Sequence, residues 1–63
     1  MTDTRREVIF EFRRIGDYVK VSAVDSLTNI EVSITGPARA ERATLQAAAL
    51  RKLRYVLAKA AGK

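Results

Sequence analysis

Arg51, Tyr55 and Lys59 recur at every fourth position, with Lys52 and Arg54 between them. On a helix, residues four apart share a face. The spacing would therefore align two cations and one aromatic ring, the groups that neutralise phosphates and stack on bases. A second basic group, Arg5 and Arg6, lies near the start and is followed by Arg13 and Arg14, although Asp3, Glu7, Glu11 and Asp17 are close enough to offset part of it. The residues expected to contact a polyanion are thus Arg51, Lys52, Arg54, Tyr55, Lys59, Arg5 and Arg6. The helical row has a plainer reading as well. Cations late in a helix sit favourably at the negative end of its dipole, and a tyrosine there can lie over aliphatic stems.

Other chemistry is poorly represented. Cysteine and histidine are both absent, which removes disulfides, thiolate nucleophiles, imidazole bases and the usual zinc ligands. Asp17, Asp25, Glu31 and Glu41 do not fall into a spacing that would pair an acid with a base, and Asp17 and Asp25 read most simply as turn residues. Gly36-Pro37 is far short of a phosphate-binding loop. Nor is a chain of 63 residues expected to hold a ligand-burying pocket of ~300 Å³. No catalytic residue, metal site or cofactor is expected, and the chain reads as a non-enzymatic binding module.

The elements that must position the basic residues follow from periodicity. Over about residues 7–15, Val8, Phe10 and Phe12 alternate with Ile9, Glu11 and Arg13, the period of a strand. Gly16-Asp17 is a turn signal, and over 18–24 Val19, Val21 and Ala23 resume the alternation. After a polar connection, Ile30, Val32 and Ile34 mark a third strand at 30–35, which Gly36-Pro37 is expected to end. From about 40 to 61 there is no glycine or proline, and at 100° per residue Leu45, Ala49, Leu50, Leu53, Val56, Leu57, Ala60 and Ala61 share one arc. The expected fold is α+β, a three-stranded antiparallel meander followed by one long helix, in a single domain over residues 1–63.

A helix of that length should overhang the sheet. In so small a domain, apolar burial and ordering entropy nearly cancel, so self-association is expected. Ile9, Ile15, Tyr18 and Val24 face away from the helix and are the expected oligomer interface, with the strand edges as a further route. The net charge of +5 is concentrated late in the chain, where six cations between Arg39 and Lys59 meet only Glu41. The expected partners are DNA or RNA and a second copy of the chain. In an alternative reading the protein is a structural or adaptor module that docks on another protein, acidic in character, through the outer sheet face or a strand edge. A membrane role is not expected, because the apolar face of the helix is taken by the sheet. The opening residues lack an apolar signal region, so a cytoplasmic location is expected.

The runs REVIFEFRRIGDYVKVSAVD at 6–25, EVSITGP at 31–37 and LRKLRYVLAK at 50–59 together resemble a family of very short bacterial proteins of unknown function. The resemblance covers nearly the whole chain and implies a bacterial, cytoplasmic protein, with no activity or ligand to transfer. In fold order alone, three strands and a helix are also similar to the amino-terminal DNA-binding domains of some integrases. Those read bases with the sheet, a mode the mixed charge of Glu11, Arg13, Lys20 and Glu31 does not support.

Overall fold

The alternation of apolar and polar residues is realised as three strands in a computed structural model that describes residues 6–62. Strands β1 (Val8–Ile15), β2 (Tyr18–Asp25) and β3 (Glu31–Pro37) form one antiparallel sheet in the order β1-β2-β3, and helix α1 (Arg42–Gly62) follows. The chain is therefore the expected β-β-β-α, α+β unit. Ile15 pairs with Tyr18 across Gly16-Asp17, and Gly16 has φ of 59°. A glycine at the first central position is what a two-residue hairpin turn of the II′ type requires.

Register sorts the side chains into two faces. Phe10, Ala23 and Val32 lie side by side on the inner face, as do Phe12, Val21 and Ile34. Against them α1 sets Leu45, Ala49 and Leu53, spaced four apart. Val21, Ala23, Ala49 and Leu53 are fully buried. The helix packs on β2 and β3, and Val8, Phe10 and Phe12 of β1 are only half-buried. The core is consequently small and displaced toward the β3 side.

Element boundaries differ from the sequence-based expectation by one or two residues. Strand β3 continues through Gly36 and Pro37, which the edge position permits because a proline at a sheet edge need not supply a ladder donor on its open side. The helix begins at Arg42 rather than at residue 40, since the Ala40 amide donates to the Pro37 carbonyl (3.0 Å) and the first helical bond runs from the Leu45 amide to the Glu41 carbonyl (3.1 Å). At its far end Ala60 and Ala61 are exposed rather than part of the core. At ~1.5 Å per residue the helix outruns the strands, and the molecule measures 39 × 24 × 16 Å.

Gly36 is required by packing rather than by backbone conformation. A Cβ at this position would collide with Leu45 Cδ2, and Leu45 is itself buried. The missing side chain is what lets the first turn of α1 settle on the end of β3.

Candidate polyanion-binding surface

Helix α1 carries Arg42, Arg51, Lys52, Arg54 and Lys59 and no carboxylate. Arg51, Arg54, Tyr55 and Lys59 are all exposed, Tyr55 at 64%. The Lys59 ammonium lies 5.5 Å from the centre of the Tyr55 ring, within cation–π range. Tyr55 thus leaves most of its surface to solvent beside a positive charge. Among the described residues, Arg51, Arg54 and Lys59 make no ion pair. No described residue neutralises the positive charge of this face by an ion pair.

Lys52 is placed differently from its neighbours. Its Nζ donates to the backbone carbonyl of Ser33 at 2.9 Å, reaching past the core arc to edge strand β3. A lysine on an edge strand's backbone, together with Pro37, makes β3 a poor template for strand addition. The edge of β1 carries neither device.

Arg6 is also engaged. Its Nε lies 3.3 Å from Oδ1 of Asp25, an ion pair rather than an aligned hydrogen bond, since Oδ1 has no hydrogen-bond partner. Asp25 is fully buried at the inner end of β2. Its Oδ2 accepts from the Thr28 amide (3.0 Å) and hydroxyl (2.8 Å), and the Thr28 hydroxyl in turn accepts from the Ile30 amide at 3.2 Å. Asp25, expected in a turn, is instead the last residue of β2, where it carries a buried charge and accepts from the turn that follows. Burial pushes the carboxyl up, and the donors from Thr28, the Arg6 guanidinium and the Leu27 amide outweigh it, holding the group below its ordinary value of 3.8. Arg5 lies outside the described residues.

The expected oligomer interface does not form one patch. Register places Ile15 beside Tyr18 at one end of the outer face and Ile9 beside Val24 at the other. Glu11 with Ser22, and Arg13 with Lys20, lie between the two pairs. Ile9 (55%), Ile15 (41%) and Tyr18 (46%) are exposed, whereas Val24 is half-buried.

One feature was not legible as a site. At the hairpin end of the sheet a surface cleft of about 510 Å³ is lined by Arg14, Asp17, Ala38 and Arg39. It adjoins a second cleft of about 320 Å³ whose walls include Phe12, Val19, Arg42 and Leu45. Both clefts are open to solvent rather than enclosed. The lining residues come from β1, the hairpin turn, β2, the β3–α1 connection and the first turn of α1, and a linear reading gives no reason to group them.

Together the features describe a small β-β-β-α unit with one unneutralised helix face. The chain belongs to the family described as a domain of unknown function, DUF6898, which it matches over residues 5–60. No curated protein and no solved structure matches it. No helix among the described residues is long and apolar enough to cross a membrane.

Proposed function

We propose that this protein is a non-enzymatic module that binds nucleic acid or a similar polyanion through its phosphates, without sequence readout. The observation that carries the reading is the composition of α1, which has five cations, no carboxylate, and an exposed tyrosine in the middle of the cationic row. Arg51, Arg54 and Lys59 would contact phosphates, and Tyr55 would offer a stacking surface to an unpaired base. Lys52, tied to β3, and Arg6, tied to Asp25, would contribute long-range attraction more than direct contacts.

The charge-reversing pair Arg51→Glu with Lys59→Glu tests this. The variant should remain folded and lose binding to a labelled single strand and to a duplex; unchanged affinity for both would overturn the reading. A second reading, docking on another copy or on another protein, is favoured by one observation: β1 has half-buried aromatic residues on its inner face and an edge without a lysine or proline guard. Light scattering at micromolar concentration distinguishes a dimer from a monomer.

A further inference from the structure

We infer that the cleft at the hairpin end is a binding site for a nucleoside monophosphate. It is separate from the helix face on which the polyanion reading rests. Arg14, Arg39 and Arg42 converge there from the end of β1, the β3–α1 connection and the first turn of α1. Asp17 is the carboxylate among the lining residues. Three guanidiniums against one carboxylate give the lining a net positive charge, the sign that a phosphate monoester requires. The first turn of α1 contains no acidic residue, and Glu41 before it makes no side-chain hydrogen bond among the described residues. Glu41, immediately before α1, offsets the positive end of the helix dipole, so the field in the cleft comes from the arginines.

Arg42 is the telling residue. A cation in the first turn of a helix is electrostatically misplaced, yet its guanidinium carbon lies over the Phe12 ring, 3.9 Å from the ring centre. A guanidinium already stacked on one face presents its other face to a second planar group. The cleft is thus divided. Phe12, Leu45 and the Arg42 plane form a half suited to a base, and Arg14 with Arg39 forms a half suited to a phosphate. Asp17 is placed to accept a hydrogen bond from a ribose hydroxyl or an exocyclic amine. The clefts, of about 510 and 320 Å³, open to solvent, so a ligand would be held by the charged and planar groups along them rather than by enclosure. Arg14 Nε donates to the Gly16 carbonyl at 2.9 Å, which fixes the side chain while its terminal nitrogens remain available.

The test is titration of the uniformly ¹⁵N-labelled full chain with adenosine monophosphate, with adenosine and inorganic phosphate as separate probes. The expected result is saturable shifts of the amides of residues 14–17 and 38–42. Adenosine and phosphate alone should each bind at least about tenfold more weakly. Arg39→Ala, a change at an exposed residue of the connection, should weaken the nucleotide about tenfold in a protein that keeps its spectrum. Arg42→Lys should weaken the nucleotide while leaving inorganic phosphate nearly unchanged, because it keeps the charge and removes the plane. Arg51→Glu with Lys59→Glu should leave nucleotide binding intact, so failure of the helix-face reading and failure of this one are told apart. Shifts confined to residues 51–59, phosphate binding as tightly as the nucleotide, or unchanged affinity in folded Arg39→Ala would each overturn the proposal.

Discussion

The two ends of the sheet handle charge in opposite ways. Where β2 runs into its loop, Asp25 is buried and supplied from within the chain, by two donors of Thr28 on one oxygen and by Arg6 beside the other. At the hairpin end and along α1 the cations are exposed, and no carboxylate of α1 answers them. A charge whose partners come with the fold is read most economically as structural. Charges left unanswered cost little while water solvates them and are available to a ligand. Arg6 and Arg51 looked alike as members of a basic surface, and their surroundings separate them.

The largest expected effect sits beneath both ends. Leu53 is fully buried where α1 crosses the sheet, and Leu53→Ala should cost about 2–5 kcal/mol in urea unfolding; a much smaller loss would mean that the helix is not docked by this face. Gly36→Ala comes next, at about 1–3 kcal/mol, because the new methyl must displace Leu45. The same substitution should disturb the apolar half of the hairpin-end cleft, so chemical shifts there should move more than those at the Asp25 end.

A smaller effect sharpens the contrast directly. Asp25 has a folded-state pKa below 3.8, so folding favours its charged form. That contribution is complete above the unfolded value and is lost as pH falls through the folded one. Urea midpoints measured downward from neutral pH should therefore decline below about pH 4, and Asp25→Asn should be less stable at neutral pH with a flatter acid limb. An unaltered acid limb in the variant would show that the buried carboxylate is not what the loop depends on. Least of all should stability respond to Arg51→Glu with Lys59→Glu, which should cost no more than about 1 kcal/mol, from the lost favourable charge of Lys59 near the end of the helix, because both residues are exposed and make no ion pair among the described residues.

Much of this architecture was legible in the sequence because period-two and period-3.6 patterns report which side chains are buried. Val19, Val21 and Ala23 identified the inner face of β2, and Leu45, Ala49 and Leu53 the inner face of α1. Asp25 carried the same signal. It continues the parity of Val19, Val21 and Ala23 and so had to point inward, but an aspartate at a strand end suggests a turn before it suggests a buried ion. Ala60 and Ala61 share the apolar arc of the helix yet lie beyond the sheet, since angular position says nothing about where the partner surface stops. Lys52 borders the core arc, and only its length and the position of β3 reveal that it meets Ser33. The hairpin-end cleft was least visible of all. Arg14 and Arg39 are separated by two whole strands and the turns between them, and nothing short of the sheet register brings them to one opening.

The central claim is that the unneutralised face of α1 binds polyanions, and a salt series of fluorescence anisotropy on a labelled duplex tests it most directly. The logarithm of the affinity should fall linearly with the logarithm of salt concentration, with a slope of about −3 for three neutralised phosphates at ~0.9 per phosphate, and Arg51→Glu with Lys59→Glu should abolish the binding. Absence of binding at low salt, or binding by the parent that the charge-reversing pair leaves unchanged, would contradict the account.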